Sequence, residues 1–331
     1  MTATTAALPV ISPVAAPRVR SSGIVLAVAS ALAFSSSGPL VKPLLEAGWS
    51  LGAALIVRMG VAGLVLAPSL VLAIVRERAF LRIHWRIILG FGLTAVAGCQ
   101  IFFFSAMQRM PVAVALLIQY LAPVLLVLLA WVRTRKAPSG LVIAGSLVAI
   151  AGLVLVVDIS GASFDLLGTL FALAAAVCVG AYFLIAERAG EDLPPLALAS
   201  GGLLVGAALI GILAAVGVLP FVAPPVDVTL GSMTLPWWVP MLWVAAVATS
   251  IGYAFGVMAV PRVGSRIASF VGLSEVLFAL GFAWLLLGEA PAPIQFAGGA
   301  LILVGVVLVR LDASAGESKR APATAPAVPA P

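Results

Sequence analysis

The chain has 331 residues, of which 63% are hydrophobic and only 9% charged, with a formal net charge of +6. A soluble domain carries roughly 25% charged residues, so 18 basic and 12 acidic side chains cannot clothe this chain in water, and most of its exterior must face lipid. The two cysteines, Cys99 and Cys178, lie in apolar runs and offer neither a disulfide framework nor a zinc cluster; the single histidine, His84, removes most histidine-based chemistry, and no cofactor is expected. In a soluble protein the positive balance would suggest nucleic acid, whereas here it reports the basic loops that orient membrane helices.

A helix needs about 20 apolar residues to cross the hydrocarbon core. In chain order ten such spans are predicted, at 23–41, 51–75, 87–108, 111–132, 139–157, 166–186, 195–219, 237–260, 264–288 and 292–309. Strands of a barrel would alternate polar and apolar residues over about 10 positions. Runs such as LLVLLAWV do not alternate, so the fold class is an all-α polytopic membrane protein. Residues 1–22 and 310–331, rich in Ala, Pro, Ser and Thr, are expected to be disordered tails. Arg18 and Arg20 before GIVLAVASALA resemble a signal peptide, but its cleavage would leave nine helices and break the repeat described below.

With the N-terminus inside, 15 of the 18 basic residues fall on cytoplasmic segments. Outside joints then hold only Lys42 and Arg109, and Arg58 falls within a span. The positive-inside rule thus predicts cytoplasmic N- and C-termini. The basic, short-looped, signal-less design of this multi-pass chain suits a bacterial plasma membrane, with an organelle membrane as the alternative.

The spans repeat. A shift of about 152 residues pairs AMQRMPVAVALLIQYLAPVLLVLLAWV (106–132) with MAVPRVGSRIASFVGLSEVLFALGFAW (258–284). One further residue pairs Trp131 with Trp284, Gly145 with Gly298 and Gly152 with Gly305. Each half, 23–158 and 166–309, holds five spans. An odd number of crossings forces two tandem copies into opposite orientations, which is the inverted-repeat architecture of alternating-access transporters. Substrate sites in such folds lie near the midplane, and the expected motion is one five-helix half rocking against the other.

The 5+5 layout, the segment RMPVAVALLIQYLAPVLLVLLAWV and the later VGSRIASFVGLSEVLFALGFAWLLLGEAPAPIQFAGGALILVGVVLV resemble the two EamA-type repeats of the drug/metabolite transporter superfamily. The resemblance covers about 23–309 and implies ten helices, cytoplasmic termini, a central cavity and, usually, export of amino acids, other metabolites or toxic compounds. One departure is Ser274-Glu275-Val276, where the second repeat often carries a proline opposite Pro123.

A charge inside a span is costly and is a functional candidate by default. There are two. At 1.5 Å per residue, Arg58 lies about 10 Å below the outer surface and Glu275 about 20 Å, close enough for a pair if their helices adjoin. Glu275 would then carry a proton and Arg58 bind or gate the solute. The plainer readings are a buried ion pair, or Arg58 snorkelling to headgroups. Gln100, Gln119, Tyr182 and Tyr253 are candidates to line a cavity, or else to bond between helices. Ser36, in the Ser35-Ser36-Ser37-Gly38-Pro39 interruption of the first span, marks either exposed backbone or a kink satisfied by serines. Gly202/Gly206 and Gly252/Gly256 read as packing positions, Glu289 as a structural acid before the last helix, Trp237 and Trp238 as interface anchors, and His84 as a solvated loop residue.

The expected function is secondary transport of small organic solutes, as an exporter, coupled to protons through Glu275 or running as facilitated diffusion. No G-x-x-x-x-G-K-[ST] loop is present, which argues against ATP hydrolysis by this chain. The partners are a small solute and lipid, with no nucleic acid. The alternatives are a channel or structural subunit, and an intramembrane enzyme, which would need paired acids or a nucleophile with its base inside the spans.

Overall fold

The computed structural model describes residues 21–122, 124–125, 131–132, 135, 139–157, 165–188, 193–288 and 293–318. Pro123, Glu289 and both chain ends lie outside the described residues. Four described helices are long and apolar enough to cross a membrane: Ser22–Glu46, Phe80–Met107, Pro195–Ala215 and Trp238–Val260. Leu51–Val65 and Ala67–Arg76 form a fifth, bent by 49° at Leu66, next to Pro68. Shorter apolar helices at Gly140–Leu155, Leu166–Tyr182, Ser274–Leu287 and Phe296–Gly305 fall within the fifth, sixth, ninth and tenth expected spans. The tenth runs on to Ser318, past the end expected at 309.

The repeat read from the sequence reappears in three dimensions. The third and eighth spans each contain an eight-residue π-helical segment, Phe91–Gly98 and Val244–Ile251, whose first residues are 244 − 91 = 153 apart and whose last are 251 − 98 = 153 apart. The fourth and ninth spans are both broken, the fourth at Tyr120–Leu121 and the ninth at Leu273. Between the eighth and ninth spans the backbone stays helical from Gly252 to Gly272, so the joint expected at 261–263 is itself helical. The fifth and tenth spans pack reciprocally. A Cβ on Gly152 would lie 2.5 Å from the Gly298 carbonyl oxygen, and one on Gly305 would strike that of Gly145. These are the two glycine pairs of the sequence register, each meeting the other's counterpart.

Packing units cut across the two repeats. The first span lies on the eighth, where Ser30 Oγ donates to the Gly252 carbonyl at 2.7 Å and Phe34 covers Gly252. Its mirror image is the sixth span on the third, with Cys178 Sγ over Gly98 and Phe171 stacked on Phe102 at 6.3 Å. The seventh span bridges the second and third through bare glycines: Ser200 Oγ donates to the Gly63 carbonyl at 3.0 Å, Leu204 fills the space beside Gly63, and Phe91 lies against Gly202. Close approach of this kind is how helices associate in lipid, where no hydrophobic drive separates one apolar face from another.

Two features of the joints were not foreseen. Asp227–Leu230 and Met233–Pro236 form an antiparallel hairpin between the seventh and eighth spans. Gly231 sits at its turn at φ +60°, which favours glycine. The preceding loop is stitched to the joint between the first and second spans, where Ser50 N donates to the Val222 carbonyl at 2.8 Å and Trp49 Nε1 to that of Pro224 at 3.0 Å. Trp237, partly buried, packs on Trp49 at 5.1 Å with the rings tilted, and Trp238 is half exposed. Asp165 begins the sixth span. It accepts from Gly168 N at 2.6 Å and pairs with Arg109 at 3.1 Å, and those bonds hold its carboxyl below the usual carboxylate range. His84 corrects another expectation. It is buried within the helix Phe80–Gly90 against Phe80, because that helix begins seven residues before the expected span, at 80 and not 87.

Candidate functional site

Six of the seven polar candidates converge on one central cavity of about 450 Å³: Arg58, Gln100, Gln119, Tyr182, Tyr253 and Glu275. Helical periodicity accounts for the walls. From the first span Ala27, Ser30, Ala31, Phe34 and Ser37 recur at intervals of three and four, and from the eighth Tyr253, Gly256, Val257 and Val260 do the same. The third span contributes Ala95, Cys99, Gln100, Phe103 and Phe104, following its π-helical segment. A π-helical turn inserts a residue into the helical count and re-aims the side chains after it, and such turns are frequent at functional sites.

Ser36, the seventh candidate, does not line the cavity. Its hydroxyl donates to the Ala33 carbonyl at 2.7 Å and accepts from Trp243 Nε1 at 3.1 Å. The serines satisfy the kink, since Ser35 Oγ likewise donates to the Leu32 carbonyl at 2.7 Å. Ser37, one residue on, faces the cavity, and its buried hydroxyl has no partner among the described residues.

Arg58 is 1% exposed and does not snorkel. Nε and Nη2 donate to Thr249 Oγ1 at 3.2 and 3.0 Å, Nη1 donates to Gln100 Oε1 at 3.1 Å, and the guanidinium lies 5.0 Å from the centre of the Phe104 ring. Thr249 is suited to accept because its own proton goes to the Val244 carbonyl, five residues back in the π-helical segment, at 2.7 Å. The guanidinium has five N–H groups; three of them make these bonds, which leaves two. No carboxylate among the described residues neutralises it. A buried charge held only by neutral acceptors is costly in a structure that has no use for it.

Glu275 is not that partner. The Arg58–Glu275 ion pair entertained from helix depths is absent among the described residues, because each group is engaged elsewhere. Glu275 Oε2 lies 2.9 Å from the Tyr120 hydroxyl, which also lies 2.9 Å from the Gly272 carbonyl. Tyr120 escaped the sequence reading. The helix ends at Gln119, and the turn that follows lets the adjacent residues 119 and 120 both face inward, where a continuous helix would turn them about 100° apart. The rest of the wall is apolar or aromatic: Phe34 meets Tyr253 edge-on at 5.0 Å, and Tyr182 packs on Phe91 at 5.5 Å. The site therefore offers one buried cation, one carboxylate and a largely apolar surround, reached by neutral hydrogen-bonding groups from both repeats.

An all-α multi-pass membrane fold built of two inverted repeats around a central cavity defines a solute transporter. The chain belongs to the EamA-like transporter family, whose model matches residues 21–158 and 166–311. A "Probable terminal-alkyne amino-acid exporter" of Streptantibioticus cattleyicolor is 30% identical over 225 residues, covering 66% of this chain and 70% of that relative. A protein solved by crystallography superposes with a TM-score of 0.61 at 22% identity, over 90% of this chain and 99% of its own, a likeness that speaks to the fold. The chain is a transporter of small solutes and not an enzyme.

Proposed function

We propose that the protein exports small zwitterionic solutes, amino acids with apolar side chains above all, from the cytoplasm across the plasma membrane in exchange for protons. The observation that carries this reading is the buried Arg58, with no counter-ion among the described residues, in the same cavity as Glu275. Arg58, with two free N–H groups, takes the solute carboxylate. Glu275 takes its ammonium, and the aromatic and aliphatic walls take the side chain. An amino-acid exporter among the relatives supports the same class. Coupling follows from one carboxylate serving two cations: ammonium and proton compete for Glu275, so loading one releases the other. The basic inner joints put both termini in the cytoplasm.

Alternating access then moves packing units and not sequence halves. The first span rides with the eighth, the sixth rides with the third, and the glycine-lined seventh span is the shear surface between them. Ligand-induced thermal stabilisation of the purified protein tests the specificity. Apolar amino acids should raise the unfolding temperature, while the matching amine and the matching carboxylic acid should each do little at the same concentration. Equal stabilisation by the amine alone would refute the zwitterion site.

A further inference from the structure

The contact among Tyr120, Gly272 and Glu275 joins the two broken helices at their breaks. Val276 N, which would bond the Gly272 carbonyl in a continuous helix, bonds that of Leu273 at 3.2 Å, so the Gly272 carbonyl is freed by the break. Tyr120 Oη, from the break in the fourth span, stands 2.9 Å from that carbonyl and 2.9 Å from Glu275 Oε2. Both of these oxygens are acceptors while Glu275 is ionised, and a phenol has one hydrogen. Both contacts are full hydrogen bonds only when Glu275 is protonated: the carboxyl then donates to Tyr120 Oη, and Tyr120 donates to the Gly272 carbonyl. With Glu275 ionised, the charge-assisted bond is the stronger, so Tyr120 turns its hydrogen to the carboxylate and lets the Gly272 carbonyl go.

We infer that Tyr120 is a positioning residue through which protonation of Glu275 clasps the backbone of the ninth-span break to the fourth span: with Glu275 ionised Tyr120 holds its side chain alone and the Gly272 carbonyl is released, and with Glu275 protonated Tyr120 holds both. This rests on the proposed proton role of Glu275 and adds the device that moves the helices. The proton comes from cavity water and returns to it; Tyr120 keeps its own throughout and only reorients. The other titratable groups facing this cavity are Cys99 on the third span, Tyr182 on the sixth, Arg58 on the second and Tyr253 on the eighth. The first span presents no titratable side chain to the cavity, its Lys42 and Glu46 lying near its outer end.

Hydrogen exchange of the full chain in lipid nanodiscs, read as protection factors over the two breaks in acid and alkaline buffer, tests the clasp. Wild type should lose protection at the ninth-span break by about fivefold on going alkaline, the weight of one net hydrogen bond. Glu275→Gln, whose amide still donates to Tyr120, should stay protected at both pH values. Tyr120→Phe, and the double variant with Glu275→Gln, should be unprotected at both. The seventh span serves as the internal standard for folding. If Tyr120→Phe keeps the wild-type pH response while Glu275→Gln abolishes it, the clasp is overturned and the proton role of Glu275 stands. If Glu275→Gln responds to pH as wild type does, both fall.

Discussion

Thr249 gives its own proton to the Val244 carbonyl and so keeps its oxygen lone pairs for Nε and Nη2 of Arg58. Thr249→Val removes that acceptor and leaves two buried guanidinium N–H groups unbonded, a loss of about 1–3 kcal/mol. The expected outcome is a lower unfolding temperature in detergent, with Thr249→Ser close to wild type because the hydroxyl alone does the accepting. At this scale the sequence singled out the two charged residues that line the cavity. Arg58 and Glu275 stood out because charge inside an apolar span has few structural uses. Thr249, Ser37 and Tyr120 did not stand out, because hydroxyls are common in membrane helices. Which of them faces a cavity depends on a local break or π-helical turn that no periodicity announces.

Between elements, the strongest constraint is the mutual approach of the fifth and tenth spans. Gly152 faces the backbone of Gly298 and Gly305 that of Gly145, with no room for a methyl group at either place. Gly152→Ala should therefore destabilise the protein by about 1–3 kcal/mol, the usual cost of overpacking. Gly281→Ala, with nothing within 4 Å of the added carbon, should be neutral or slightly stabilising in the same thermal assay. Both glycine pairs were legible as a sequence register, since they recur at one spacing in an otherwise low-complexity background. The π-helical segments obey the same spacing yet were invisible: FGLTAVAG and VAAVATSI share almost no side chains, so their likeness lies in the backbone. The hairpin was missed for a different reason. A joint of 17 residues, 220–236, reads as loop, and its shape is held by strand pairing, the buried Val228 and Leu230, and contacts with Trp49, Ser50 and Leu286.

For the molecule as a whole, inverted topology follows from counting five crossings per repeat, and the meeting of two helix breaks at one cavity follows from that topology. The sequence supplied the count and the opposite orientations. It did not show which helices pack together, because repeats adjacent in the chain need not be packing units: the first span is buttressed by the eighth and the sixth by the third. The result is a single chamber that draws its cation from the second span and its carboxylate from the ninth, one from each repeat. The most direct measurement of this account is counterflow of an apolar amino acid into proteoliposomes holding the purified protein, wild type beside Arg58→Gln. Saturable counterflow in wild type, reduced at least about tenfold in the variant as expected for loss of a charge-assisted contact, is the predicted result. Equal counterflow in both, or flux that never saturates, would contradict it.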